Sequence, residues 1–397
     1  MEIKDKKPSI CYLRGSYLNP FEAQYLYPLL DTFDITVAHP KSYRYNVGSI
    51  SMPRISFPCL DYLNGIIPRK IFGKKLPNPL KFLGFEEILF GVNKGLKKFD
   101  LIHLPEQSFY FSWQVVKNKK KGGYKIISTQ DEINPYWYRN KLSLKKRTCL
   151  VRNETDLFIS RSNHAKYTLI CEGVSPEKIH VIGHGVDTKR FYPGERDKNI
   201  CKSLGISDNR FIVLFVGNLI WTKGIFTLVD AVKLLLQDQK VKDIDPLFVI
   251  VGEGNERNQL IKKIKSYQLD RYFHLTGPQP YEKLPEIHRL ADIFVLPSIS
   301  TRYIQEQFGI VLIESMATGK PVISTYCGAI DEVVGDAGML IPPNDYLRLY
   351  ESLYNLMFNS SLREQLSRKG IERVHNNFTY KIIASKIASV YEEVLEK

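Results

Sequence analysis

The stretch EQFGIVLIE, residues 306–314, sets two carboxylates, Glu306 and Glu314, eight positions apart with Gly309 between them. Three readings compete for such a pair: a solvated helix face, a general acid/base couple, or two separate hydrogen-bonding tasks on one ligand. Just upstream, DIFVLPS reads as a strand ending at Pro297, followed by an irregular loop and a helix, FGIVLIESMATG, starting near Gly309. Glu306 then stands on the loop and Glu314 about one and a half turns inside the helix. At a rise of about 1.5 Å per residue the two carboxylates cannot share one atom, yet they reach the ends of a ligand roughly 8–10 Å long, on the order of a sugar nucleotide. A carboxylate can accept from two vicinal hydroxyls, as a ribose presents them. The free N–H groups of Phe308, Gly309 and Ile310 suit phosphate or sugar oxygens. The spacing favours two tasks on one ligand.

Other loops pose the same choice between chemistry and plain structure. In FVGNLIWTKGIF a strand gives way to a helix through Lys223 and Gly224, where a lysine can approach a phosphate; a solvated lysine is the plain alternative. VIVGEGNERN has Arg257 where GxGxxG needs its third glycine, so it is a poor dinucleotide fingerprint. Asp243 and Asp245 in KDIDP make a DxD pattern, but in a loop leading into a strand, where no metal site is expected. His103 in DLIHLPEQ ends a strand and either touches a ligand or makes a structural hydrogen bond; His184 reads as structural.

The elements that must position these groups are short apolar runs alternating with helix-period segments. PSICYLRG, FDITVAHP, FDLIHLP, YKIISTQ, TDLFIS and IHVIGHG read as buried strands in the first half, and FIVLFVGN, LFVIVGEG, YFHLTG, DIFVLPS and KPVIST in the second. Continuous apolar strands separated by helices predict an α/β protein of two doubly wound parallel sheets. A chain of 397 residues also exceeds what one core usually fills. The polar, turn-rich segment 191–209 sets the expected domains at 1–195 and 196–375, with 376–397 as a last helix too apolar to hang free. The stripe Phe82, Phe85, Leu89, Val92, Leu96 predicts a core-facing helix.

Charge is uneven. Residues 1–200 hold 33 Lys+Arg against 19 Asp+Glu, and residues 201–397 hold 23 against 23, so the whole excess of +14 sits in the first half. That half is expected to meet something anionic: a membrane surface, a phosphorylated substrate or a nucleic acid. The loop 64–81 mixes Ile66, Ile67, Ile71 and Phe72 with Arg69, Lys70, Lys74, Lys75 and Lys81, which suits either an anionic bilayer or a packed excursion with a basic edge. Neither an aromatic-basic platform nor a helix-turn-helix unit is visible, so no nucleic acid is expected. The six cysteines form no CxxC pair, which fits a reducing cytoplasm. No apolar run of 18 residues and no signal-type start are seen.

VGNL with KG three residues on, VGEG, HLTGPQPYEKLPEIHRLADIFVLPS, the E-x7-E pair, ESMATGKPVIST and HGVDTKRFYP resemble, in order and spacing, the retaining family 4 glycosyltransferases of GT-B fold. The resemblance covers nearly all of the second half; the first half is similar only in layout. It implies two Rossmann-like domains facing a central cleft, with a nucleotide-sugar donor such as a UDP- or GDP-sugar on the second and a glycan or lipid-linked acceptor mainly on the first. It also implies no cofactor and no metal, and a last helix crossing back to the first domain. Lys223 would meet the donor diphosphate, Glu314 the ribose, and Glu306 the donor sugar as positive charge develops at its anomeric carbon. The amides of Phe308, Gly309 and Ile310 would cover sugar and phosphate oxygens, and the backbone near Gln279 would meet the base.

Three positions depart from the family pattern. Asn218 replaces a usual arginine, with Arg302 as a substitute cation. Gln130 replaces a frequent histidine, leaving Asp131 or Gln130 to act there. A single glycine, Gly15, stands where two are common, although Gly15 and Ser16 still fit a loop over the donor phosphates. The expected function is a cytoplasmic, metal-independent retaining glycosyltransferase, peripheral at the membrane and serving polysaccharide synthesis. An epimerase- or phosphorylase-like relative and a basic nucleic-acid-binding protein are the alternatives.

Overall fold

In the computed structural model, which describes residues 6–42, 47–59, 87–137, 142–207, 209–302 and 304–397, the apolar runs form two all-parallel sheets. The first joins β1 (Ser9–Leu13), β2 (Asp34–Pro40), β3 (Arg54–Phe57), β4 (Leu101–Leu104), β5 (Lys125–Gln130), β6 (Leu157–Ser160) and β7 (Ile179–Val181) in the order β3-β2-β1-β4-β5-β6-β7. The second joins β8 (Ile212–Val216), β9 (Leu247–Val251), β10 (Phe273–Gly277), β11 (Ile293–Leu296), β12 (Val322–Thr325) and β13 (Gly338–Ile341) in the order β10-β9-β8-β11-β12-β13. Each order reverses next to its first strand, between β1 and β4 and between β8 and β11. Loops leaving the carboxyl ends of those strands diverge there and open a crevice.

Burial on both faces explains the unbroken apolar runs. Every residue of β8, β9 and β11 is buried, and the helix Ile225–Leu235 lays Leu228, Val229, Val232 and Leu235 into the same core. The edge strands β3 and β13 are half-exposed, so RISF and GMLI lack that signature.

The chain divides into two compact units, residues 1–183 with 381–397, and residues 184–380. Segment 184–195, expected with the first domain, lies with the second. Val186 N–H donates to the Phe378 carbonyl (2.7 Å), Tyr380 N–H donates back to Val186 (3.1 Å), and Phe191 is fully buried in the second core. The last helix, Tyr380–Glu396, buries Ile383, Ile387, Val390 and Tyr391.

The predicted helix through Leu89 is not formed as drawn. The helix there is Val92–Gly95, while Leu89 pairs in an antiparallel bridge with Cys59. The Gln114 side chain takes both the N–H and the carbonyl of Leu89, at 3.0 Å each. Leu89, Val92 and Leu96 still face the core; Phe82, Phe85 and the basic loop 64–81 lie outside the described residues. Among the described residues no helix is long and apolar enough to cross a membrane.

Candidate active site

In the second unit, the loops after β8 and β11 are locked together backbone to backbone. Ile299 N–H donates to the Thr222 carbonyl at 2.7 Å. Gly224, with φ of 69°, lies so close to the Pro297 carbonyl that a Cβ would overlap it. A side chain at 224 is thus excluded both by conformation and by space. This fixes Lys223 at the end of a 3-10 turn, Trp221–Lys223, directly before the helix Ile225–Leu235.

The Lys223 ammonium donates to Glu306 Oε2 at 2.5 Å, and the Ser298 hydroxyl donates to the same oxygen at 3.0 Å. The two charged side chains are 23% and 13% exposed. Ser298 is held from behind by Thr325, whose hydroxyl donates to the Ser298 carbonyl at 2.5 Å. The Glu306 carbonyl accepts from Ala329 N–H at 2.9 Å. Gly328, with φ of 61°, packs against that carbonyl at a distance no Cβ allows. A cation and a carboxylate therefore stand preorganised at the strand-order reversal.

Beside them begins the helix Ile310–Ala317. Its N-cap, Gly309, is left-handed (φ 82°) and offers no side-chain cap. The opening N–H groups of an α-helix have no partner within it, so this end attracts anions. Phe308 anchors the approach, edge-on to His184 (5.1 Å) and Phe378 (5.8 Å).

One turn on, Glu314 is 2% exposed, with its Oε2 3.7 Å from Nε2 of the fully buried His288. Burial and then Glu314 push the Tyr281 phenol up. Gln279, half-buried after β10, donates to the Thr276 carbonyl at 3.4 Å. Asn218 and Arg302 are exposed on the loops after β8 and β11. Asp243 lies within the helix Gln239–Ile244 rather than in a loop and accepts from Gln239; Asp245, which ends that helix ahead of β9, pairs with Arg210 (3.1 Å) and Arg271 (2.8 Å).

The first unit gathers a second polar group at the matching strand ends. Arg14 grips Glu22 through two bonds of 2.7 and 2.8 Å and reaches Asp131 at 3.5 Å; Arg161 stands 3.8 Å from Asp131. Glu106 accepts from the N–H groups of Asp131 (3.1 Å) and Glu132 (2.8 Å). Burial, then Asp131 and Glu132, push its carboxyl up to about 8. Gln130 is buried; its amide nitrogen donates to Glu132, and its Oε1 has no hydrogen-bond partner among the described residues.

His103 is engaged at both ring nitrogens, with the Tyr391 hydroxyl at 2.6 Å and the Thr129 hydroxyl at 2.7 Å. Burial, with Arg161 and Arg14 nearby, holds it well below its ordinary range. Gly15 (φ 67°) opens a 3-10 turn, and both the N–H and hydroxyl of Ser16 donate to Glu87. Arg14, Glu22, Glu106 and Arg161 escaped the sequence reading. The one available signal was a charged residue directly after a buried strand, as in YLRG and FISR.

Comparison with known proteins gives this arrangement its family. The family model described as Glycosyl transferases group 1 matches residues 196–373, and that described as Glycosyltransferase Family 4 matches residues 53–190. The chain belongs to these group 1, family 4 glycosyltransferases, and its two Rossmann-like domains are those of the GT-B fold. It is 28% identical over 227 residues to D-inositol 3-phosphate glycosyltransferase of Corynebacterium efficiens, covering 55% of this chain and 51% of that protein. It is 30% identical over 237 residues to alpha-maltose-1-phosphate synthase of Mycolicibacterium smegmatis, covering 56% and 58%. The matched part thus spans little more than half the length of these curated relatives. Among solved structures, Anabaena HepE in complex with UDP superposes with a TM-score of 0.77 at 18% identity, covering 97% of this chain and 100% of that one.

Proposed function

We propose that this chain is a metal-independent, retaining glycosyltransferase that moves a sugar from a nucleoside diphosphate to a glycan or lipid-linked acceptor. The observation that carries this reading is the Lys223–Glu306 couple beside the uncapped helix start at Gly309. Negative charge grows on the diphosphate as the sugar leaves. A fixed ammonium and a helix N-terminus neutralise it where another enzyme would use a divalent cation.

Lys223 shifts from Glu306 toward the diphosphate, and Glu306, still held by Ser298, faces the positive charge developing at the anomeric carbon. Glu314 takes the ribose hydroxyls, the backbone at Gln279 the base, and Asn218, Arg302, Gly15 and Ser16 stand as further donor contacts. Asp131 and Gln130 serve the acceptor side. UDP, which the Anabaena protein holds, is the first nucleotide to test. The same reading sets the protein in the cytoplasm against an anionic membrane face, with exposed Lys117, Lys120, Lys121, Lys145 and Lys146 of the first unit in support.

The test is a thermal-shift screen of UDP, GDP and their sugars in EDTA, followed by NMR of the product anomer. A bound ligand raises the melting temperature with its concentration over its Kd. Stabilisation by one diphosphate series in EDTA, with the donor's anomeric configuration kept, is the expected result. A strict need for manganese or magnesium, or an inverted product, overturns the reading.

A further inference from the structure

Behind Glu314 lies a histidine that none of the roles above uses. His288, on the helix Leu284–Leu290, is fully buried, and neither ring nitrogen has a hydrogen-bond partner among the described residues. Its ring packs between Phe191 (5.9 Å) and Phe294 (5.3 Å), which offer no polar atom. The nearest polar group recorded for it is Glu314, with Nε2 to Oε2 at 3.7 Å, just beyond hydrogen-bond reach. The other ionisable groups around this carboxylate are Tyr281, whose phenol is raised in part by Glu314, and Arg190, stacked on the Tyr281 ring at 4.8 Å, with Asp187 also acting on that tyrosine.

An imidazole always carries at least one N–H, and a buried N–H without an acceptor costs stability. A phenylalanine or leucine would fill the same apolar slot without that cost, so packing alone does not account for a histidine at 288. We propose that His288 is a positioning residue for Glu314: its Nε2–H closes on Oε2 as a ribose diol binds, and holds the carboxylate in the orientation that accepts both hydroxyls. A carboxylate has about four acceptor directions, enough for two ribose hydroxyls and a third donor from behind. The inference rests on the reading of Glu314 as the ribose-binding carboxylate, and the experiment separates the two.

Dissociation constants for UDP, GDP and their 2′-deoxy forms are measured by calorimetry on the wild type, Glu314→Gln, His288→Phe and His288→Gln. Glutamine keeps an N–H near the Nε2 position; phenylalanine removes it. His288→Phe is expected to melt at or above the wild-type temperature, yet to bind the ribonucleotide about tenfold more weakly. Its affinity for the deoxy form, which offers Glu314 only one of the two hydroxyls, should fall less, and His288→Gln should restore most of the difference. Should His288→Phe fail to fold, His288→Asn, too short to reach Oε2, takes its place. If Glu314→Gln abolishes the ribose preference while the His288 variants keep it, His288 is overturned alone. If the wild type shows no ribose preference, both readings are overturned.

Discussion

Lys223 is the residue on which most of the proposed chemistry turns. Removing one group that stabilises developing charge in an enclosed site typically costs about 10²–10³ in turnover. Lys223→Ala should therefore lose activity on that order at saturating donor, while its melting temperature stays near the wild-type value; a variant that still turns over normally removes the lysine from the mechanism. Glu106 makes a second case, and here the readout is stability. Its folded-state carboxyl titrates near 8 rather than in the ordinary carboxylate range, so the native protein holds a proton that the unfolded chain has released. Stability accordingly falls as pH rises from about the ordinary carboxylate value to about 8 and stays lowered above it. Glu106→Gln keeps an oxygen for the Asp131 and Glu132 N–H groups and cannot ionise. It should raise the melting temperature by a few degrees at pH 8.5 and by little at pH 5. Equal effects at both pH values would show that ionisation at 106 is not what weakens the fold.

At the level of elements, the central strands and the loops that carry Lys223 and Glu306 were legible because burial on two faces and turn chemistry are local signals. Strands β3 and β13 were not, since an edge strand with one face in solvent has no continuous apolar run. The helix expected across Leu89 failed for a different reason: a distant glutamine, Gln114, took the backbone groups that a helix needs. Pairings between remote positions, such as Arg14 with Asp131, leave no spacing to read. The close approaches of glycines to backbone were equally hidden, and they make a sharp test. Gly328→Ala meets both a left-handed φ and the Glu306 carbonyl, whereas Gly123→Ala (φ 75°) meets only the strain, with open space around it. The second should cost roughly 1–2 kcal/mol. The first should cost more and lower turnover about tenfold or further by shifting Glu306. Matching losses from the two in denaturant titration would show that the loop gives way freely.

Across the whole molecule, all of the net charge belongs to the first half of the chain. Each lysine near an anionic bilayer contributes about 1 kcal/mol. Replacing Lys120, Lys121, Lys145 and Lys146 with glutamine should weaken cosedimentation with anionic vesicles by roughly a hundredfold, allowing for partial engagement. The wild type should release as salt rises toward 1 M, where the Debye length is about 3 Å. Wild-type binding that ignores lipid charge would sink the membrane reading while leaving the donor site untouched.

The discontinuity of the first unit has a consequence in time. Residues 381–397 complete a body that otherwise ends at Gly183, and Tyr391 supplies one of the two hydrogen bonds to the buried His103. At about 5–20 residues per second, the ribosome needs roughly 10–40 s to travel from one part to the other. For that interval the uninterrupted second unit can close around its own core as it emerges. The first must wait with an apolar face open to the cell and with His103 lacking one of its two hydrogen bonds. During synthesis, then, the half that leaves the ribosome first is the half that finishes folding last.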